Sequence, residues 1–224
     1  MKRFWLFSFL LTVLFLFAPS LLNAQNSWRV IPMETATDHH PLPFLKAIGI
    51  PATATYKGEK HKAFVFISGH EKDKPDEHPG IKVTVGPPGI EIYIEGLQQF
   101  VPEKELELFE GPDDSDVEVE VRAMTVSIRR GEHIYRATNS VDLHTGDYPL
   151  SIVREGGNNV FGTGGFTKGP HRTAWIQLLN EMTSGFDEGH ISFGGKEISS
   201  KIEIDFLGNG IEPLLKDLIR FVGP

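Results

Sequence analysis

Short segments of alternating apolar and polar residues, separated by glycine-containing turns, constrain this fold most strongly. The segment "IEIYIE" over 90–95 places Ile90, Ile92 and Ile94 on one face, because successive side chains of a strand point to opposite sides. The segments "GPPG" (86–89) and "RRGE" (129–132) have the composition of turns, in which glycine permits a sharp reversal of the chain. The pattern predicts antiparallel strands joined by hairpins.

The longest predicted strand, 117–128, contains a change of parity. Its apolar positions are odd-numbered as far as Val121 and even-numbered from Met124 onward. A parity change requires one additional residue in the strand, which predicts a β-bulge near Arg122–Ala123. Further strands are predicted over 28–31, 61–68, 133–138 and 150–153, and a hairpin is predicted to pair 191–193 with 201–206.

Two helices are predicted near the C-terminus. The first has Thr173 as its N-cap, Gly185 as its stop, and an apolar stripe at i, i+3, i+4 and i+7, formed by Trp175, Leu178, Leu179 and Met182. The second has Pro213 in its first turn and apolar residues at Ile211, Leu214, Leu215, Leu218, Ile219 and Val222. The predicted fold class is mainly β (α+β), a single antiparallel β-sandwich or open barrel with two helices near the C-terminus.

The N-terminal segment has the layout of a secretory signal peptide. Lys2 and Arg3 precede the apolar run Phe4–Ala18, and a small residue, Ala24, follows a break in that run. An uncleaved anchor is the alternative, but a membrane span needs about 18 or more apolar residues. We therefore expect cleavage after Ala24, a periplasmic or secreted protein formed by one β-rich domain over 25–224, and no transmembrane segment after cleavage.

Composition excludes several classes of function. The chain has no cysteine, which excludes disulfides, thiol catalysis and iron–sulfur clusters, and which fits a bacterial periplasm better than a disulfide-dense extracellular module. The formal net charge is −8. Affinity for nucleic acid comes mainly from lysine and arginine that neutralise phosphates, so we expect no nucleic-acid partner.

The segment 160–173 is predicted to be a glycine-rich loop before a helix. A phosphate-binding loop of the G-x-x-x-x-G-K-[ST] type fits at Gly162 and Lys168, but Thr167 and Gly169 replace its second glycine and its hydroxyl residue. Glycine amides at a helix N-terminus can still hold a small anion. The candidate ligand-binding residues are Gly162, Gly164, Gly165, Thr167, Lys168 and His171.

The charged segment "HEKDKPDEH" (70–78) is the candidate metal site, with His70, Asp76 and His78 as ligands, because imidazole suits zinc, copper and nickel. A solvated loop is the alternative, since the spacing imposes no geometry. The acidic segment 112–118 has calcium-like spacing but lacks the glycine and late glutamate of an EF-hand.

A hydrolase is a further alternative. Ser68 with His70, or the segment 142–147, supplies the residue types of a catalytic triad, and His144 or His171 would be the base. Residue types alone do not define a triad, because geometry does. The chain has neither a G-x-S-x-G nor an S-x-x-K motif.

The C-terminal quarter has the order helix, hairpin, Leu-Gly turn, helix, in "WIQLLNEMTSG" (175–185) and "HISFGGKEISSKIEIDFLGNGIEPLLKDL" (190–218). In this layout it resembles the end of invasion-associated locus B type periplasmic proteins. The resemblance implies a small, β-rich, non-enzymatic periplasmic protein. The cysteines common in that family do not occur here.

These observations favour a non-enzymatic binding or accessory module for an envelope protein or a small ligand, acting through a sheet face or the 160–173 loop. Periplasmic metal binding through 70–78 and a secreted hydrolase remain as alternatives. No cofactor is predicted.

Cleavage after Ala24 gives the first testable prediction. Protein recovered from the cell envelope should begin at Gln25, as measured by intact mass and N-terminal sequencing. Replacing the small residue, Ala24→Tyr, should retain the leader, whereas the neighbouring control Asn23→Tyr should be processed normally. A full-length chain in the membrane fraction of the unaltered protein would instead support the uncleaved anchor.

Overall fold

Ten antiparallel strands form one sheet in the computed structural model, which describes residues 26–33, 41–71, 87–102, 104–105, 122–140, 151–155, 158–162, 169–195 and 201–223. The strands are β1 Arg29–Ile31, β2 Leu45–Tyr56, β3 Glu59–His70, β4 Gly89–Ile94, β5 Arg122–Arg130, β6 His133–Ser140, β7 Ser151–Glu155, β8 Asn158–Gly162, β9 Glu188–Gly195 and β10 Ile202–Leu207. The helices are α1 Leu97–Phe100, α2 Gly169–Met182 and α3 Ile211–Val222.

The order of the strands across the sheet is β6-β5-β9-β10-β2-β3-β4-β8-β7, with β1 paired to β2 beside β10. Among the described strands, the edge strands β6 and β7 do not pair with each other, so the sheet does not close into a barrel. The predicted fold class is confirmed: the protein is mainly β and antiparallel, with two helices near the C-terminus.

The hairpin of β2 and β3 is the centre of the sheet. Both strands have twelve residues, and their register runs from Tyr56 opposite Glu59 to Leu45 opposite His70. Lys57 and Gly58 form the two-residue turn, with φ angles of 49° and 85°, as the turns that match strand twist require. The sequence did not predict β2.

Proline within a central strand is unusual because it cannot donate to the ladder. Pro51 lies where β2 changes partner along one edge: residues 47–49 pair with β1, and residues 53–56 pair with β10. Residues 50–52 have no registered partner on that edge among the described strands. The change of partner therefore accommodates Pro51.

The hydrophobic core lies between one face of the sheet and helices α2 and α3. Both predicted stripes are confirmed, since Trp175 and Leu178 of α2 and Leu215 and Leu218 of α3 are buried in this core. Trp175 also donates its Nε1 hydrogen to the Pro88 carbonyl at 2.6 Å, which satisfies the only polar group of a buried indole.

The ends of α2 agree only in part with the sequence analysis. The helix begins at Gly169, so the predicted N-cap Thr173 is wrong; Pro170 in the first turn fits an earlier start. Gly185 follows the helix with φ of 80°, which confirms it as the stop. Arg130 donates from Nε to the Gly185 carbonyl at 2.8 Å and ties the β5–β6 turn to this helix end.

Several other predicted elements are confirmed by β1, β3, β4, β6, β7 and the β9–β10 hairpin. In β5, Met124, Val126 and Ile128 face the core, whereas 117–121 lie outside the described residues, so the bulge stays a prediction. Of the helices that the structure describes, none is long and apolar enough to cross a membrane.

Two glycines provide a matched test of packing. A Cβ at Gly208, between β10 and α3, would lie 1.9 Å from the Phe186 carbonyl oxygen, whereas a Cβ at Gly194 would meet only the flexible Lys201 side chain at 3.4 Å. We expect Gly208→Ala to lower the free energy of unfolding by about 1–3 kcal/mol, as overpacking does. The control Gly194→Ala should leave it unchanged or raise it slightly. Denaturant unfolding measures both, and equal effects would contradict this packing.

Candidate functional site

The predicted glycine-rich loop is shorter than the sequence analysis expected. Interpreting all of 160–173 as a loop is wrong at both ends, because β8 reaches Gly162 and α2 begins at Gly169. Gly162 pairs with Glu91 of β4 and Ser151 of β7, and the backbone of His171 lies in the first turn of α2. Gly164, Gly165, Thr167 and Lys168 lie outside the described residues. Ligand binding by these residues stays a prediction.

His70, the first predicted metal ligand, ends β3. Its Nδ1 lies 2.8 Å from the Glu71 carbonyl oxygen, and its ring packs on Phe44 with centroids 5.2 Å apart. Because a carbonyl only accepts, Nδ1 carries the hydrogen and Nε2 is the free acceptor. Nε2 is buried and has no hydrogen-bond partner among the described residues. An imidazole fixed in this way through its other nitrogen is typical of metal ligands.

His70 belongs to no group of three or more potential metal ligands in the part of the chain that the structure describes. Asp76 and His78 lie outside it, and the described residues contain no group of three histidine, cysteine or carboxylate side chains that could hold a metal ion. The calcium-like segment 112–118 and His144 also lie outside it. Metal binding through 70–78 therefore stays a prediction.

A groove of about 720 Å³ crosses the sheet on the face opposite the helices. We call it the outer groove. It runs over β6, β5, β9, β10 and β2, and its lining comprises Asn26, Pro51, Ala52, Thr53, Ser127, Ile128, Arg129, Ile134, Arg136, Glu188, Gly189, His190, Asp205, Phe206 and Leu207.

A polar row forms the middle of the outer groove. The strand registers align Arg136 with Ser127, Ser127 with His190, His190 with Asp205, and Asp205 with Thr53. Every member lies at an outward position, because its neighbours along each strand, such as Val126 and Ile128 beside Ser127, are buried in the core. The alternation that builds the core thus also builds this row.

His190 and Asp205 form the closest polar contact in the row. His190 Nδ1 lies 2.7 Å from Asp205 Oδ1, which orients the imidazole. The side chains of His190 and Asp205 are 40% and 66% exposed, so water screens the pair and it adds little to stability. The contact positions the ring within the groove.

The row brings a serine, a histidine and an aspartate into one groove, but the geometry differs from that of a catalytic triad. Ser127 Oγ donates to the His190 backbone carbonyl at 3.4 Å, not to the imidazole nitrogen that would take its proton. Strands β5 and β9 are also paired on both sides, so their backbone N–H groups are engaged in ladders and cannot stabilise an oxyanion.

A second row borders the first and carries apolar and charged groups. It aligns Ile134, Arg129, Glu188 and Leu207 across four strands. Arg129 Nη2 lies 3.0 Å from Glu188 Oε2, and this hydrogen bond and charge raise the pKa of the guanidinium above its ordinary value. Ile134 is 55% exposed and Leu207 is 37% exposed, so both offer apolar surface to a ligand.

The sequence analysis did not identify the outer groove. The polar positions of the β9–β10 hairpin are visible in "HISF" and "IEIDF", and alternation alone assigns His190 and Asp205 to the face opposite the isoleucines. The register that aligns Ser127 with His190, 63 residues later, leaves no local signal. That pairing required the structure.

The other half of the same outer face is buried. Phe64, Phe66 and Tyr93 have almost no exposed surface, and Glu91 lies among these positions opposite Phe66. Ser68 donates to Glu91 Oε1 at 2.9 Å, while Glu91 Oε2 is buried and has no partner in the part of the chain that the structure describes. Burial is the main cause that raises the pKa of Glu91 above its ordinary value, and the Ser68 hydrogen bond opposes it.

Comparison with protein families, curated proteins and solved structures gives no match to this chain. The similarity of its C-terminal quarter to invasion-associated locus B type proteins is therefore one of layout, without a matching family model.

Glu91 predicts a specific pH dependence. A carboxyl whose pKa is raised on folding binds its proton more tightly in the native state. Its contribution to the free energy of unfolding therefore falls as the pH rises from about the ordinary pKa of 4.5 to the native pKa. Glu91→Gln should therefore have a higher free energy of unfolding than the unaltered protein at pH 7, and the difference should shrink below pH 4.5. Urea unfolding across pH measures this difference. Glu95→Gln, exposed in the turn that follows the same strand, is the control, and a pH-independent difference for Glu91→Gln would contradict the prediction.

Proposed function

We propose that the protein is a non-enzymatic binding module of the bacterial cell envelope that holds a small ligand in the outer groove. The observation that carries the proposal is the concave, mixed polar and apolar lining assembled from five strands on the exposed half of the sheet. Binding sites for small molecules are concave, of about 300–1,000 Å³, and combine apolar surface with a few convergent polar groups.

The rigidity of the lining supports ligand binding. Ser127, His190 and Asp205 lie on paired strands within the sheet, so their backbones are fixed before a ligand arrives. A preorganised site avoids the entropic cost of ordering loops on binding. The outer groove needs no rearrangement of the described backbone to present its polar groups.

The same geometry favours binding over catalysis. The Ser127 hydroxyl is directed to a carbonyl, and the His190–Asp205 pair is open to water. Catalytic electrostatics depend on fixed donors in a site from which water is excluded. A hydrolase remains the second candidate, favoured by the alignment of Ser127, His190 and Asp205 in one row. It would require Ser127 to turn toward the imidazole.

An envelope location rests on the N-terminal segment. The basic residues and apolar run that precede Ala24 are typical of export. The chain also contains no cysteine, so export imposes no disulfide formation. A small-molecule binding protein of the periplasm is the function that combines this location with the outer groove.

Native mass spectrometry tests the proposal. The mature protein is purified from its own cell envelope without chelator, beside two variants of β2. Thr53→Trp fills the groove, whereas Thr55→Trp adds the same side chain on the same strand and face, beyond the groove lining. We expect an adduct of small-molecule mass on the unaltered protein and on Thr55→Trp, and a loss of that adduct from Thr53→Trp.

Other results distinguish the alternatives. A metal-sized adduct that disappears in His70→Ala would replace small-ligand binding with metal binding. A second polypeptide in the spectrum would indicate an envelope protein as the partner. Ester hydrolysis that is lost in both Ser127→Ala and His190→Ala would favour the hydrolase. An adduct retained equally by Thr53→Trp and Thr55→Trp would show that the ligand does not occupy the outer groove.

A further inference from the structure

At the β6 end of the outer groove, one cation has no carboxylate partner among the described residues. Arg129 pairs with Glu188, and His190 contacts Asp205. Arg136 is exposed at the β6 end of the polar row, and it makes no hydrogen bond or ion pair with any described residue. The groove therefore carries a single positive charge at this end that no described carboxylate neutralises.

The neighbours of Arg136 suit a bound anion. Ser127 is its direct cross-strand partner, and side chains at such positions have Cβ atoms about 4.5–5.5 Å apart. The Ser127 hydroxyl makes only a long bond of 3.4 Å in the structure and can rotate to donate to a ligand. The anionic side chain of this row, Asp205, lies three strands away, a distance of about 14 Å at the usual strand spacing.

Apolar surface adjoins this end of the groove. Ile134 lies two residues before Arg136 on the same face of β6, and it is 55% exposed. Across the second row, Arg129 and its partner Glu188 separate Ile134 from Leu207, which is 37% exposed. The aliphatic stem of Arg129 can add apolar surface beside Ile134. An apolar chain that begins at Arg136 can therefore lie along Ile134 and across the sheet.

We propose that the ligand of the outer groove is a small monoanionic carboxylate with an apolar chain. Its carboxylate is held by Arg136 and Ser127, and its chain lies on Ile134 and toward Leu207. This inference rests on the proposed function and specifies its ligand class. A guanidinium matches the two oxygens of a carboxylate with parallel hydrogen bonds, which gives orientation as well as affinity.

The charge balance favours a carboxylate over a phosphate monoester. One uncompensated arginine neutralises one negative charge, whereas a phosphate monoester carries about −1.5 to −2 at neutral pH. The additional charge would lie in a groove that also contains Glu188 and Asp205, on a chain of formal net charge −8. A monoanion is therefore the better electrostatic match.

Isothermal titration calorimetry of the mature protein at pH 7 tests the ligand class with three probes of equal chain length: octanoate, octyl phosphate and octanol. We expect octanoate to bind most tightly. Arg136→Met, which keeps most of the side-chain volume, should weaken octanoate binding about tenfold or more, as loss of a charge-assisted pair does. The same variant should leave octanol binding nearly unchanged. Arg136→Lys should recover part of the affinity that Arg136→Met loses, since lysine restores the charge but lacks the planar guanidinium that makes two parallel hydrogen bonds.

The control is Arg172→Met, which removes an exposed arginine on α2, away from the groove lining, and should bind octanoate as the unaltered protein does. The proposal is overturned if octyl phosphate or octanol binds as tightly as octanoate, if Arg136→Met binds octanoate normally, or if none of the three probes binds. Should a native adduct still be lost from Thr53→Trp in any of these cases, the groove remains a binding site and only the ligand class is wrong.

Discussion

The rest of the structure depends on the ladder between β2 and β3. It joins twelve residue pairs without interruption, and the other strands of the sheet attach on its two sides. On the β2 side, β1 and β10 pair with successive parts of one edge, while β4 extends the β3 side. Because the register of this hairpin fixes which side chains face the helices, a slip of one residue would expose the core of the central strands.

One consequence of this ladder is that the two halves of the outer face have opposite character. Beside the first half of β2, the outward positions hold Phe64, Phe66 and Tyr93, all buried. Beside its second half, the outward positions hold Ser127, His190 and Asp205, and the groove opens to solvent. The same sheet thus has a buried outer surface at one end, which contains an ionisable group in Glu91, and a polar surface open to solvent at the other.

Much of the fold could be predicted from alternation because the prediction uses only neighbours in the sequence. Ile90, Ile92 and Ile94 identified β4, and the stripe from Trp175 to Met182 identified α2. Strand β2 was missed because its first half is buried on both faces, as Ala47 and Ile48 show. Polar and apolar residues therefore do not alternate there. Pro51 is also unusual for a central strand, and the change of partner that accommodates it appears only in the strand pairing.

The candidate site was less accessible to prediction for a related physical reason. Sequence patterns favour clusters such as 70–78 and 160–173, in which residues of suggestive chemistry are consecutive. In a sheet, however, side chains that meet across strands come from distant positions, as Ser127, His190 and Asp205 do. The alternation of polar and apolar residues within each strand can be recognised in the sequence. The alignment of these three residues depends instead on the register of every strand pair in the row.

One end of the outer groove lies beside the change of partner that accommodates Pro51. Strand β1 pairs with residues 47–49 of β2, and the pairing of β10 with β2 begins at Thr53. Between them, the described residues contain no strand against this edge of β2, and Pro51, Ala52 and Thr53 line the groove there. Trp28, which precedes β1, donates its Nε1 hydrogen to the Leu207 carbonyl of β10 at 2.8 Å and so links the two strands beside this gap. The strand order that organises the core therefore also fixes where this end of the outer groove lies.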